Sequence, residues 1–275
     1  MIISYYLFCI NMRFKITLNR TGKQRMLPMD YQYYLSAWIY KVISKANYEF
    51  ANFLHSEGYG TGGRRFKLFC YSPLDFGKPV LWKEKSLFEI KTDQLTVNVS
   101  FQLDEAAENF IIGLFNHQQA YIGDRFNGLE LAVTQVERLS DPTMEKTMHY
   151  RALSPIVISR LTDGEKYARY LSPATVGYAG LLRAHIEHKY TTVPQATPLP
   201  EVFDFDFSLQ GNPRSKLITL KAYTPQQSKV RGYVYEFQLT APVKIHRLLL
   251  AAGAGEKNSM GFGWCEIIKL VLPSD

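Results

Sequence analysis

Hydrophobic and polar residues follow one another in short blocks along the chain, and each block has the period of a strand or of a helix. Residues 12–18 are apolar at every second position, which is typical of a half-buried strand. The next block runs from Asp30 to about Lys45, and it predicts a helix with the buried stripe Leu35, Trp38, Ile39, Val42 and Ile43. A second short helix is expected at 48–56.

The remaining blocks repeat one order of elements. In the first half, strands are predicted at 66–71, 86–91, 95–103 and 129–138, with a helix at 104–117 before the last of them. In the second half, strands are predicted at 149–160, 203–209, 216–223, 230–240 and 262–271, and helices at 171–189 and 243–251. This repeated order predicts an α+β fold of tandem ferredoxin-like (RRM-like) domains, with antiparallel sheets and helices on one face.

The predicted boundary between the domains lies at Asp141-Pro142-Thr143, where the regular patterns are interrupted. The N-terminal domain then covers residues 12–140 and the C-terminal domain residues 141–275. Residues 1–11 precede the first strand pattern and are predicted to be an N-terminal extension. Their apolar run is too short to cross a bilayer, so we expect no membrane attachment.

Amino-acid composition limits the possible classes of protein but does not identify one function. The chain is 46% apolar and 21% charged, close to the averages of globular proteins, which disfavours intrinsic disorder, collagen and coiled coils. A formal net charge of +7 suits a polyanion such as nucleic acid, and an aromatic content of 14% fits either sheet packing or base stacking. The 3 cysteines have neither zinc nor disulfide spacing, so we expect no metal, no cofactor and a cytoplasmic location.

The most specific motif is a glycine-rich segment before the last predicted strand. Its candidate RNA-binding residues are Gly253, Gly255, Lys257, Asn258, Ser259, Gly261 and Gly263. Glycine permits positive φ and close backbone approach, so exposed amides here are expected to hold a phosphate, helped by the lysine, asparagine and serine. The motif leads into a strand, which excludes a Walker loop and a dinucleotide fingerprint. An ordinary irregular turn is the structural alternative.

This glycine-rich segment and three others together resemble a known family. The others are Tyr31-Gln32-Tyr33-Tyr34-Leu35, Leu54-His55 and Phe66-Lys67-Leu68-Phe69-Cys70-Tyr71-Ser72. Over residues 12–272 the chain resembles the CRISPR-associated endoribonucleases of the RAMP superfamily, which cut precursor CRISPR RNA within its repeats. The resemblance implies tandem ferredoxin-like domains and metal-independent attack by a ribose 2′-hydroxyl. The expected products are a 2′,3′-cyclic phosphate and a 5′-hydroxyl.

Such a cleavage needs a proton acceptor, a proton donor and positive charge beside the phosphate. His55 ends the second predicted helix, histidine is the residue type that changes charge near neutral pH, and the resemblance implies that His55 is the general acid or base. A capping or surface histidine is the alternative. The resemblance also implies that Tyr40 orients the 2′-hydroxyl and that Lys67 stabilises the phosphorane. Core packing and an ordinary strand lysine are their respective alternatives.

Geometry limits the pairing of Tyr40 with His55. In one unbroken helix their Cα atoms would be about 22 Å apart, because each residue adds about 1.5 Å along the axis. The two side chains could not then share a phosphate. The hypothesis therefore requires the helix to break near Ala46-Asn47 so that the chain doubles back.

Further basic residues are candidates for RNA binding, and solvated strand faces would look similar. They are Arg64, Arg65, Lys216, Lys221, Lys229 and Arg231. The expected partners are the repeat of precursor CRISPR RNA and subunits of a CRISPR effector complex, and a homodimer is left open. Two other functions also stay open: a noncatalytic repeat-binding subunit of such a complex, and a small-molecule enzyme with a phosphate site in the glycine-rich segment.

Overall fold

The computed structural model describes residues 12–60, 64–162, 164, 167–222 and 224–268. Its N-terminal half contains β1 (Met12–Arg20), β2 (Met26–Pro28), α1 (Tyr31–Ala46), α2 (Tyr48–Ser56), β3 (Phe69–Tyr71), β4 (Val80–Trp82), β5 (Leu87–Glu89), β6 (Gln94–Phe101), α3 (Asp104–Asn116), β7 (Gln119–Gly123) and β8 (Gly128–Arg138). Its C-terminal half contains β9 (Thr147–Ala152), β10 (Ser159–Arg160), β11 (Arg169–Tyr170), α4 (Tyr178–Thr191), β12 (Asp206–Leu220), β13 (Ser228–Thr240), α5 (Val243–Ala252) and β14 (Cys265–Ile267).

The N-terminal half forms an antiparallel sheet in the order β3-β6-β1-β8-β7. Alternate residues of β1, among them Phe14, Ile16 and Leu18, are buried in one core with residues of α1 and α3. Period-two burial in the strand and three-to-four spacing in the helices produce this packing, because each element has one apolar face to cover. Without the additional edge strand β7, the strand order is that of a ferredoxin-like unit.

The C-terminal half forms a second antiparallel sheet in the order β12-β13-β9-β14. Residues of α4 and α5 share its core with Tyr150, Phe237 and Leu239 of the sheet. This is the same ferredoxin-like strand order, so the predicted α+β class with tandem ferredoxin-like units is confirmed. The segment Asp141-Pro142-Thr143 connects the two sheets, and the predicted extension 1–11 lies outside the described residues.

The structure differs from the predicted elements in its edge strands. The strands predicted at 203–209 and 216–223 are one strand, β12, whose register shifts between Gln210 and Arg214. The turn-forming residues Gly211-Asn212-Pro213 lie within this irregularity, where a β-bulge absorbs them. The short strands β2, β4 and β5 form a separate sheet in the order β2-β5-β4, and β7 was not predicted.

Two predicted strands of the C-terminal half are also shorter than expected. The strand predicted at 149–160 ends at Ala152, and in the region predicted as strand 262–271 only Cys265–Ile267 are assigned among the residues described up to 268. Within the described part of the chain, none of the helices combines the length and the apolar character that crossing a membrane requires.

Candidate functional site

A helix break brings the two most distinctive side chains of the N-terminal unit together. Helix α1 ends at Ala46, and Asn47 adopts an extended conformation with φ −149° and ψ 102°. The Asn47 side-chain oxygen accepts a hydrogen bond from the Phe50 amide at 3.0 Å, so this residue caps α2. The break required near Ala46-Asn47 is therefore present, because asparagine offers the backbone an alternative to continuing the helix.

Tyr40 and His55 meet across this break. Their ring centroids are 5.2 Å apart in an edge-to-face arrangement. His55 is exposed, whereas Tyr40 is half-buried and also packs on Phe69 at 5.5 Å. Burial raises the pKa of Tyr40 to about 12, although the neighbouring Ser259 side chain favours its ionised form. At neutral pH Tyr40 is a neutral phenol, which suits a donor or positioning group better than a base.

Lys67 joins this pair through the end of α2. Its Nζ donates a hydrogen bond to the His55 carbonyl oxygen at 2.8 Å. A cation is favourable at a helix C-terminus, where carbonyl groups lack partners within the helix. Burial, and secondly the charge of Arg65, lower the pKa of the half-buried Lys67. Tyr40, His55 and Lys67 thus lie in one cluster, as their predicted roles require.

The residue after Lys67 turns the chain from one core to the other. Leu68 has a φ of +55°, a conformation that costs a non-glycine residue about 1–3 kcal/mol. Its side chain is buried in the C-terminal core, while the next side chain, Phe69, is buried in the N-terminal core. The Leu68 carbonyl oxygen accepts a hydrogen bond from the Gln102 amide at 2.9 Å. Packing on both sides therefore holds the turn that presents Lys67.

A cavity of about 560 Å³ opens between the two units beside this cluster. Its polar lining includes Arg64, Arg65, Lys67, His185, Lys257 and Ser259. Arg64, Arg65 and Lys257 are exposed, and Arg65 Nη1 donates a hydrogen bond to the Gly60 carbonyl oxygen at 2.6 Å. Concentrated positive charge in a concave surface favours an anionic ligand.

The glycines of the C-terminal segment serve the protein's own backbone. The amides of Gly253, Gly261 and Gly263 each donate, at 3.0 Å, to carbonyl oxygens of Leu249, Asn258 and Pro155 respectively. These amides are not exposed phosphate donors, which corrects the interpretation drawn from the sequence. Gly255 is likewise buried, and its φ of +68° brings it against the backbone of strand-flanking residue Val157.

The segment turns its asparagine inward and two neighbours toward the cavity. Asn258 Nδ2 donates to the carbonyl oxygens of Ala254 and Phe262 at 3.0 Å each, so both amide hydrogens are used within the protein. This corrects its predicted role as a donor to RNA. Lys257 and Ser259 do line the cavity, and the Ser259 side chain lies beside Tyr40.

The basic residues of the β12–β13 hairpin do not form one patch. Arg231 and Lys229 are exposed, and Arg231 Nη1 donates to Ser215 Oγ at 2.7 Å. Lys216, which pairs with Gly232, lies on the opposite face and lines a second cleft of about 930 Å³. Lys221 Nζ lies 5.9 Å from the centroid of the Tyr33 ring in the N-terminal unit. Their predicted contacts with RNA stay predictions.

Two polar residues of α4 line the cavity and were not assigned a role from the sequence. His185 Nε2 is 2.8 Å from the Gly255 carbonyl oxygen, and burial followed by the charge of Lys189 lowers its pKa to about 3. Lys189 is only 2% exposed. Its signal in the sequence was its position on the stripe Leu182, Ile186, Lys189. No group of metal-ligating residues occurs among the described residues.

Two family models match the chain over most of its length. The model for the N-terminal part of CRISPR-associated protein Cas6 matches residues 26–136. The model for the C-terminal part of Cas6 matches residues 139–267.

Known proteins match over nearly the whole chain as well. The CRISPR-associated endoribonuclease Cas6 1 of Methanocaldococcus jannaschii is 26% identical over 261 residues, which are 92% of this chain and 91% of that protein. The CRISPR-associated endoribonuclease Cas6 of Pyrococcus furiosus is 24% identical over 261 residues, 93% of this chain and 90% of that protein. A solved structure of a Cas6-related protein from Pyrococcus furiosus has a TM-score of 0.77 at 22% identity, covering 95% of this chain and all of that one, and it shares the fold.

Proposed function

This chain belongs to the Cas6 family of CRISPR-associated endoribonucleases, and we propose that it cuts precursor CRISPR RNA within its repeats at the cluster of Tyr40, His55 and Lys67. The site is assigned from one observation: the Tyr40 and His55 ring centroids are 5.2 Å apart, and Lys67 Nζ donates a hydrogen bond to the His55 carbonyl oxygen. The adjoining cavity supplies the positive charge that a phosphate backbone needs.

The reaction is transfer of the scissile phosphate to the neighbouring 2′-oxygen. The 2′-hydroxyl loses its proton and its oxygen bonds to phosphorus, while the bond to the 5′-oxygen breaks and that oxygen gains a proton. The products are a 2′,3′-cyclic phosphate and a 5′-hydroxyl, and the step needs no metal.

Each side chain has one part in this reaction. His55 carries the proton transfer, because an imidazole can both accept and donate a proton and this ring is exposed to an incoming strand. Tyr40 donates a hydrogen bond that orients the reacting groups. Lys67 opposes the charge that develops on the phosphorane, and the lowered pKa of this lysine follows from its partial burial.

Arg64, Arg65 and Lys257 hold the phosphates on either side of the cut, and the remaining basic residues of the β12–β13 hairpin track the strand further away. The chain works in the cytoplasm, where its product passes to subunits of a CRISPR effector complex. The proposed function does not require a homodimer.

The first test uses the purified full chain and a labelled repeat RNA in EDTA. A second RNA carries a 2′-deoxy sugar immediately upstream of the cut. We expect cleavage of the first RNA and survival of the second. Tight binding without cleavage of either RNA would identify a noncatalytic repeat-binding subunit instead.

The second test compares His55→Ala with His149→Ala, a histidine of β9 in the other unit. We expect His55→Ala to lower the cleavage rate by about 100-fold or more, as loss of general acid or base catalysis does, while RNA affinity is nearly intact. His149→Ala is expected to cleave like the wild type. Equal rates for the two variants would remove His55 from the mechanism.

A further inference from the structure

We propose that Lys189, a buried lysine of α4, is a positioning residue for RNA cleavage: its ammonium holds the glycine-rich segment 253–263 so that Ser259 meets Tyr40. The inference rests on the proposed function, because it concerns the same site. Lys189 lies in the wall of the cavity, and none of the roles given above uses it.

The Lys189 ammonium is surrounded by acceptors of the glycine-rich segment. Its Nζ donates to the Gly253 carbonyl oxygen at 2.8 Å, the Gly255 carbonyl oxygen at 3.0 Å and Asn258 Oδ1 at 2.7 Å. Three short bonds to three acceptors need three N–H donors, which lysine has only as an ammonium. Such bonds to a charged donor are about twice as strong as neutral ones. One side chain therefore ties together the start and the middle of the segment.

Asn258 passes this constraint to the rest of the segment. While its oxygen accepts from Lys189, its Nδ2 donates to the Ala254 and Phe262 carbonyl oxygens. The orientation of the amide is thus fixed at both ends. If Lys189 were absent, the buried Asn258 oxygen and the Gly253 carbonyl oxygen would each lose a partner, at a cost of about 1–3 kcal/mol per group. A neutral Lys189 has two N–H donors and would leave one of its three acceptors without a partner.

The next residue carries the constraint into the active site. The Ser259 carbonyl oxygen accepts a hydrogen bond from Ser36 Oγ at 2.6 Å, and the Ser259 side chain lies beside Tyr40, where it favours the ionised form of the phenol. Ser36 and Tyr40 are one turn apart on α1, so two side chains of the N-terminal unit contact a single residue of the C-terminal segment. The position of the Tyr40 hydroxyl consequently depends on where Asn258 and Ser259 are held.

Charged groups around Lys189 neither neutralise it nor compete for it directly. Glu256 favours the ammonium through its charge, but its carboxylate accepts hydrogen bonds from the Ser159 amide at 2.7 Å and from Ser159 Oγ. His185, one turn earlier on α4, is neutral at pH 7 because burial lowers its pKa to about 3. The buried Lys189 ammonium is thus hydrogen-bonded to carbonyl and amide oxygens. Because these oxygens belong to the glycine-rich segment, the conformation of the segment stabilises the buried charge.

The test is single-turnover cleavage at saturating RNA and at about pH 6, below the Lys189 pKa of about 7, with Lys189→Met, which keeps the length and apolar stem of the side chain. We expect the rate to fall by about 10- to 100-fold, because a displacement of about 1 Å caused by a mutation away from the reacting atoms can cost about 100-fold. The dissociation constant for uncut RNA should change little. Lys41→Met, at an exposed position of α1, is the matched control and should cleave like the wild type.

A double-mutant cycle separates positioning from a merely structural role. If Lys189 acts through Ser259, then Lys189→Met combined with Ser259→Ala should cleave no more slowly than Lys189→Met alone. If the rate losses of the two single variants multiply in the double variant, the proposal is wrong. It is also wrong if Lys189→Met cleaves at the wild-type rate. Should Lys189→Met not fold, Lys189→Gln replaces it in the same cycle, with a smaller rate loss expected because the amide keeps two donors.

Hydrogen exchange keeps this proposal distinct from the proposed function. We expect amides of residues 254–263 to lose protection in Lys189→Met while those of β1 and β6 keep theirs. Unchanged protection overturns the positioning role even if RNA is cleaved. If the wild type cleaves no RNA but the segment loses protection in the variant, the proposed function fails and the proposed contact between Lys189 and the segment stands.

Discussion

Replacing Gly263 by alanine tests whether the close approach at this glycine is made by the protein's own backbone or by RNA. Gly263 has a φ of +74°. A Cβ at this position would overlap the Ala254 carbonyl oxygen and lie 2.6 Å from Asn258 Nδ2. Ala254 cannot simply retreat, because its own amide donates to the Gly263 carbonyl oxygen at 2.8 Å. The obstruction is backbone rather than a flexible side chain.

The magnitude follows from two contributions. An alanine at this φ costs about 1–2 kcal/mol, and forcing extra volume into a packed site costs typically about 1–3 kcal/mol more. We therefore expect Gly263→Ala to lower the free energy of unfolding by about 2–5 kcal/mol. Gly77 is the matched control, since it has a φ of +66° and no heavy atom within 4 Å of an added Cβ. Gly77→Ala should lose only the first contribution.

The assay is urea unfolding of both variants, with RNA affinity measured under native conditions. The effect of alanine on the unfolded chain is common to both and cancels in their difference. Equal losses of stability for Gly263→Ala and Gly77→Ala would refute the reasoning. So would a stable Gly263→Ala protein that binds RNA poorly, because the close approach would then be to RNA and not to Ala254.

Three further predictions concern the cap, the electrostatic contacts and the buried lysine. Asn47→Ala removes the cap of α2 and should lower the free energy of unfolding in urea by about 1 kcal/mol. It should also slow cleavage, because α2 carries His55. An unchanged stability together with an unchanged cleavage rate would contradict this prediction. Replacing Arg64 and Arg65 by alanine should make the slope of log affinity against log salt shallower by about 0.7 per lost phosphate contact with single-stranded RNA, and an unchanged slope would show that neither arginine contacts phosphate. Burial lowers the pKa of Lys189 to about 7 from 10.5, so between these values the unfolded chain binds the extra proton and stability rises with pH, while the folded protein loses the ammonium that holds the glycine-rich segment. Relative to Lys189→Met, the wild type should gain up to about 1.4 kcal/mol per pH unit in this window, and parallel stability curves would contradict the shift.

The fold followed from periodicity where an element has one buried face. The stripe of α1 and the alternation of β1 were readable because each repeats over several turns or residues of one core-facing surface. The break at Asn47 was needed by the chemistry, and its cause is local, an asparagine that caps the next helix. By contrast, Gly211-Asn212-Pro213 looks like a turn between strands, but pairing with β13 on both sides keeps β12 continuous through a bulge. Pairing with a neighbour is a tertiary contribution that a local pattern does not contain.

The site was less predictable because its decisive contacts join residues far apart in the chain. A glycine in a sequence indicates that some backbone approaches closely, but not whose, and here Gly255 and Gly263 admit the chain's own carbonyl groups. Lys189 lies on the buried stripe of α4. A charged group at a buried position needs hydrogen-bond acceptors within the protein, and here they are oxygen atoms. Those oxygens belong to the glycine-rich segment, so the glycines that open space and the lysine that fills it are parts of one arrangement. A substitution at either therefore acts on the other, and both act on Tyr40 through Ser259.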